Sequence, residues 1–278
     1  MIKVKITTAL LFLFVLHLDI TKGVSIDLTD IHFLLYTKNN QKYPQQLFID
    51  DDETLNLSDF KATRKTKVII HEWGTGQRSI NTTPIKQAYL KFGEFNVIVV
   101  DWHKYALLSY PASRKLVESI GTHIGQFLEF LILKTDVKIS DLHIIGYGLG
   151  AQIAGNIGKL IHTIGRITAL NPETKLFTEK DIDKLNLNDA KFVDVILTNA
   201  NYSTAEDMGK LTLFVMSNKS DTDAGKYYAE TIVNTTCVEA VQCDNLKDFN
   251  NCLCSANENI CTGEFVTLNA TGRYYMNI

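Results

Sequence analysis

Five residues, Gly146-Tyr147-Gly148-Leu149-Gly150, stand between an apolar run, Leu142 to Ile145, and a stretch of helical character, Ala151 to Gly155. A strand, a tight turn and a helix in that order can present one side chain at the top of a sheet. In the G-x-S-x-G form of the turn that group is a serine whose Oγ attacks a carbonyl carbon. The outer glycines let strand and helix approach closely, and the middle residue is held in a strained backbone conformation. Here the middle residue is Gly148, so the turn is kept and its oxygen is missing; no second G-x-S-x-G occurs. A nucleophilic serine also needs a base, and on a strand-turn-helix scaffold the histidine follows both nucleophile and acid along the chain. The seven histidines end at His162, with more than a hundred residues still to come.

The elements that must hold this turn are legible as alternating strands and helices. Ile31 to Tyr36, Val68 to His71, Asn96 to Asp101, Arg166 to Leu170, Phe192 to Leu197 and Leu211 to Met216 are short, β-branched or apolar, and bounded by polar turns. Pro111 opens a long amphipathic segment with Leu116, Ile120, Ile124, Phe127, Leu128 and Leu131 on one face. The alternation predicts a mostly parallel sheet covered by helices. His143 lies on a core strand, and Asp101 and Asp194 end or interrupt strands; all three read as structural groups.

Composition points to export. Residues 1–23 have the form of a signal peptide: Lys3 and Lys5 precede an apolar run, Ala9 to Leu18, broken only by His17, and Gly23 offers a small residue at the cut. That run is about half of what a membrane span needs, so no transmembrane segment is expected. Residues 24–278 are expected to form one domain, since 45% of the chain is apolar and no repeat or linker interrupts it. The net charge of −3 becomes −5 without the leader, which argues against a nucleic-acid partner. Six N-x-[ST] sequons, at Asn56, Asn81, Asn201, Asn218, Asn234 and Asn269, are candidate glycosylation sites. The five cysteines, Cys237, Cys243, Cys252, Cys254 and Cys261, all fall near the C-terminus and read as a local disulfide knot with one thiol over. No cofactor or metal is expected: the cysteines lack a paired C-x-x-C and a nearby histidine, and His71-Glu72 has Thr75 where a zinc-binding H-E-x-x-H needs histidine.

Several phrases carry a family resemblance. IHFLLYTKNN (31–40), TKVIIHEW (66–73), FNVIVVDW (95–102), LHIIGYGLGAQIAG (142–155), RITALNPETKLF (166–177), AKFVDVILT (190–198) and YYAETI (227–232) resemble, in the same order, the pancreatic-type neutral lipase family. That family includes triacylglycerol lipases, insect-venom phospholipases A1 and fly yolk proteins. The resemblance implies an α/β-hydrolase fold from about Ile26 to GRYYMNI at the C-terminus, with no C-terminal β-sandwich domain.

Carried over residue by residue, it also implies a degenerate triad. The nucleophile position is Gly148, the acid position Asn171, and the histidine position falls near Asp221 when counted back from Tyr227. An amide can hold an imidazole but supplies no charge to stabilise imidazolium, a change that costs on the order of 10⁴ in kcat in a serine protease. The backbone N–H groups of Trp73 and Leu149 match the oxyanion-hole donors. Glu72 stands where the family has glycine: turned inward it would place negative charge beside a developing oxyanion, and turned outward it would be an ordinary surface carboxylate. About thirty residues separate Leu197 from Tyr227, too few for a full lid. The family's late disulfides imply the pairs Cys243–Cys252 and Cys254–Cys261, leaving Cys237 for a disulfide-linked dimer. The sequence therefore leads to a secreted, non-catalytic lipase homologue that binds a lipid or an extracellular protein, or serves as a yolk-like storage protein. The alternative is a weak or atypical lipase or phospholipase A1 using other groups.

Overall fold

Strands buried on both faces show near-continuous runs of valine and isoleucine rather than alternation, and the centre of this chain follows that pattern. A computed structural model describes residues 27–178, 180–198, 208–217, 223–234 and 236–278. The leader, Asn201, Asn218 and Asp221 lie outside the described residues. The strands are β1 (His32–Tyr36), β2 (Gln45–Leu47), β3 (Thr66–Ile70), β4 (Asn96–Asp101), β5 (Leu142–Tyr147) and β6 (Arg166–Leu170). They continue with β7 (Phe192–Leu197), β8 (Leu211–Met216), β9 (Glu239–Gln242), β10 (Asn259–Cys261) and β11 (Gly272–Asn277). All join one sheet in the order β10-β9-β11-β8-β7-β6-β5-β3-β4-β1-β2. Strands β4, β3, β5, β6, β7, β8 and β11 run parallel, while β1, β2, β9 and β10 add antiparallel edges.

The helices are α1 (Asp52–Leu57), α2 (Thr83–Phe92), α3 (His103–Ala106), α4 (Tyr110–Lys115), α5 (Val117–Lys134), α6 (Leu149–Leu160), α7 (Ala224–Val233) and α8 (Leu246–Asn250). The amphipathic segment after Pro111 is thus two helices divided at Leu116. Successive side chains of β3 point to opposite faces. Val68 and Ile70 join Ile124, Phe127, Ile153 and Ile157 of α5 and α6 on one side, and Ile69 joins Ile85, Tyr89, Tyr228 and Ile232 of α2 and α7 on the other.

The cysteine pairing departs from the family-based expectation. The bonds are Cys237–Cys261 and Cys243–Cys254, with Cα separations of 5.1 and 5.6 Å, and Cys252 is free and exposed. The antiparallel register of β9 with β10 sets Cys261 opposite Glu239, which brings Cys237 within bridging distance. Cys252 has a positive φ of 57° and its thiol is left outside. Cys237 is therefore closed within the chain and cannot link a dimer, and Cys252 takes its place as the odd thiol. The bonds close separations of 24 and 11 residues, worth roughly 3 kcal/mol each on the chain-entropy model.

Candidate functional site

In a parallel sheet, crevices form at the carboxyl ends of strands where neighbouring connections leave in opposite directions. From β3 the chain proceeds through α2 to β4 on one side, and from β5 through α6 to β6 on the other. The switch point therefore lies between β3 and β5, whose registered ends, Ile70 and Gly146, lead into Glu72-Trp73 and Gly148-Leu149.

The turn at this point has the elbow geometry. Gly148 adopts φ 57° and ψ −118° and N-caps α6, a conformation in which an L side chain is strained. A Cβ on Gly146 would come within 2.4 Å of the Gly150 carbonyl oxygen, and one on Gly150 within 2.5 Å of the Ile70 and His71 carbonyls. The outer glycines are thus required by backbone packing. Gly148 itself is roomier: its nearest neighbour would be the Glu72 Cβ at 3.1 Å. Glu72 stands over the place a nucleophile would occupy.

Around this turn an amide, a phenol and a carboxylate form one hydrogen-bonded chain. Asn171 follows β6 with φ 43°, a left-handed conformation that asparagine tolerates better than most residues. Its Oδ1 accepts from the Thr198 N–H at 3.0 Å, and its Nδ2 donates to Thr198 Oγ1 at 3.0 Å and to the Tyr147 hydroxyl at 3.2 Å. Tyr147 passes its own proton toward Asp223 Oδ2 at 2.7 Å. Asp223 Oδ1 accepts from the Gly225 and Lys226 N–H groups, capping α7. With its proton committed to Asp223, the Tyr147 oxygen needs a donor, which an amide provides and a carboxylate does not. Burial, and then the Asp223 carboxylate, push the Tyr147 phenol well above its ordinary range. It is neutral at physiological pH and is no substitute nucleophile.

Glu72 resolves inward. Its half-buried carboxylate accepts from Ser79 Oγ at 2.8 Å and from Asn81 Nδ2 at 3.1 Å, and its charge acts on Tyr147. Negative charge is thus fixed beside the turn where a hydrolase must stabilise an oxyanion. Trp73 and Leu149, the candidate donors, sit at the adjacent ends of β3 and β5. The Trp73 indole is 42% exposed, donates to the Leu108 carbonyl at 2.8 Å and packs edge-on against Tyr110 at 5.5 Å.

Gly148, Asn171, Trp73 and Leu149 are therefore gathered at the carboxyl end of the sheet. Tyr147 and Asp223 escaped sequence reasoning. Tyr147 occupies a variable position of the pentapeptide, and the only signal at Asp223 is an acid directly before a helix, read as a cap. Of the sequons, Asn56, Asn234 and Asn269 are exposed, whereas Asn81 is half-buried with its nitrogen turned to Glu72. Among the described residues no cluster of three or more histidine, cysteine or acidic side chains is arranged to hold a metal, and no helix is long and apolar enough to cross a membrane.

A mostly parallel sheet flanked by helices, with a strand-turn-helix elbow at its switch point, is the α/β-hydrolase fold. The family model described as Lipase matches residues 15–215, and the chain belongs to this family, in its pancreatic-type branch. Inactive pancreatic lipase-related protein 1 of Homo sapiens is 32% identical over 261 residues, covering 80% of this chain and 56% of that protein. Pancreatic triacylglycerol lipase of Sus scrofa is 30% identical over 234 residues, covering 79% of this chain and 52% of that protein. The chain thus spans about half the length of these relatives.

Proposed function

We propose that this chain is a secreted, non-catalytic member of its family, which uses the crevice at the elbow to hold a lipid or an extracellular protein rather than to cleave an ester. One observation carries the reading: at the retained elbow turn Gly148 offers no oxygen, and the hydrogen-bonding groups of Asn171 are taken up by Tyr147 and Thr198. No described histidine approaches this turn from the segments after β6, because the sequence has none there. The relatives support the family and not the activity, since both inactive and active names occur among them. The partly exposed Trp73 and Tyr110 offer an aromatic wall suited to an apolar ligand.

Export is proposed on the leader-like residues 1–23, two disulfide bonds and the exposed sequons. Glycans are expected on Asn56, Asn234 and Asn269 and not on Asn81, whose nitrogen is engaged by Glu72. Digestion with an amide glycosidase followed by peptide mapping tests both points. The decisive experiment is to purify the secreted protein, measure turnover of tributyrin and of phosphatidylcholine, and identify solvent-extracted lipid by mass spectrometry. Absence of turnover with a stoichiometric lipid supports the reading. Turnover abolished by Glu72→Gln or Tyr147→Phe would replace it with an atypical esterase.

A further inference from the structure

Behind the turn that follows β3 lies a second cleft, of about 670 Å³, between residues 75–80 and the start of α3. The volume falls within the range of small-molecule sites. Its lining includes neither Gly148 nor Trp73. Ile80 and Leu107 are 77% and 65% exposed, so among the described residues an apolar wall is offered to solvent.

The charges beside that wall are unbalanced. Arg78 lines the cleft, and no hydrogen bond or ion pair is recorded for it among the described residues. Lys86 lies near enough for the two cations to repel: burial first, and Arg78 second, lower the Lys86 ammonium. The Lys86 Nζ lies over the face of Tyr36, 4.1 Å from its centroid, a contact that does not neutralise it. The carboxylate in the cleft, Asp101, is already committed. Its Oδ1 accepts from the His103 backbone N–H at 3.2 Å, lies 3.1 Å from His103 Nδ1 and stands 3.5 Å from the buried His71 Nε2. A guanidinium without a counter-ion among the described residues, next to this exposed apolar wall, is complementary to a ligand carrying one anionic head and one apolar chain.

We propose that this cleft binds a single-chain amphiphile with an anionic oxygen head, the head at Arg78 and the chain along Ile80 and Leu107. The cleft adjoins the elbow through Thr75 and Ser79, which bond to Glu72, but its lining includes no elbow residue, and the proposal stands whether or not the elbow cleaves esters. A guanidinium suits a phosphate or a carboxylate equally in shape, because it donates two parallel N–H groups to either.

The test is calorimetric titration of the intact secreted protein, stripped of lipid, with dodecyl phosphate and with laurate below their micellar concentrations. Saturable one-to-one binding is expected for at least one, and the tighter of the two identifies the head. Arg78→Gln and Leu107→Gln, both at exposed positions, should each weaken it by about tenfold or more with an unchanged melting temperature. Tyr110→Ser, in the aromatic wall of the elbow crevice and outside the lining of this cleft, should leave it unaltered. Inorganic phosphate alone and neutral decyl maltoside should bind at least about tenfold more weakly, since each supplies half of the recognition. Equal affinity for the neutral detergent, insensitivity to Arg78→Gln, or loss on Tyr110→Ser would overturn the proposal, the last by assigning the ligand to the elbow crevice. Binding only to anionic vesicles and not to the monomers would also overturn it, in favour of a membrane-facing surface.

Discussion

The two ends of the central strands use polar groups in opposite ways. At the amino ends, Lys67, His143, Arg166, Asp194 and Glu264 form a buried ionic network. Arg166 grips Asp194 with two bonds of 2.8 Å and donates to the Gly263 and Glu264 carbonyls. Lys67 meets Glu264 at 2.7 Å and His143 at 3.0 Å, and Tyr89 and Tyr228 donate to the other Glu264 oxygen. Burial lowers the Lys67 ammonium to about 8, and burial with the neighbouring cations keeps His143 neutral. These are strong perturbations, yet each group has its partner, and the positive φ beside them, 71° at Gly263, falls on a glycine that adopts it without strain. At the carboxyl ends the groups are half-buried, and Gly148 and Asn171 both take positive φ. The contrast teaches that a perturbed pKa does not by itself locate a site; backbone strain at a switch point is the better indicator here.

The largest expected effect tests the amino end. Arg166→Met leaves Asp194 buried without a counter-charge and should cost about 3 to 5 kcal/mol, read from urea denaturation. Arg166→Met combined with Asp194→Leu should recover much of that loss; if it does not, the network contributes more than mutual neutralisation.

At the carboxyl end, Gly148→Ser should destabilise by about 1 to 3 kcal/mol through its φ of 57° and the 3.1 Å approach to Glu72 Cβ. It should restore no ester turnover, because triad members act as a unit. An unchanged melting temperature would mean that the elbow is not held in this conformation in solution.

Asn171→Asp, the reversal to a carboxylate, should cost about 2 kcal/mol at neutral pH by setting an acceptor against the Tyr147 oxygen. The raised pKa expected of that new acid makes the deficit shrink as pH falls and it becomes protonated. A deficit independent of pH between 4 and 8 would break the donor argument for Asn171.

Asp101 supplies a smaller, pH-dependent term. Burial opposes its ionisation, but the His71 ring 3.5 Å away and the contacts of His103 outweigh it and hold the carboxyl at about 2. A depressed carboxyl stabilises above its unfolded pKa of about 4, and that contribution is lost as pH falls through about 2. Allowing for solvent screening at the exposed His103, the loss is on the order of 1 kcal/mol. It should appear as the difference between the acid limbs of wild type and Asp101→Asn. Smallest of all, Cys252→Ser should change stability by less than about 0.5 kcal/mol and leave both disulfides in peptide maps, whereas Cys237→Ser should free Cys261.

Much of the parallel sheet was legible from the chain. Asn96–Asp101, Arg166–Leu170, Phe192–Leu197 and Leu211–Met216 are read to the residue, because strands buried on both faces are dominated by apolar residues and end at polar turns. The edge strands β2, β9 and β10 were not legible, since three or four half-exposed residues carry little pattern. Gly148 could be placed because the elbow turn fixes the spacing of its glycines, and Asn171 because its segment resembles the acid segment of the family. Tyr147, Asp223 and Ser79 could not, because Tyr147 and Asp223 meet across 76 residues, Tyr147 meets Asn171 across 24, and Ser79 turns back to Glu72 across 7. The cysteines show the same division. Sequence fixed their number and left one thiol over, but which one depends on the antiparallel register of β9 and β10, which brings Cys237 to Cys261. Residue identity limits which groups can react, whereas partners distant along the chain meet only when the sheet forms, so hydrogen-bond and disulfide pairing belong to the tertiary structure.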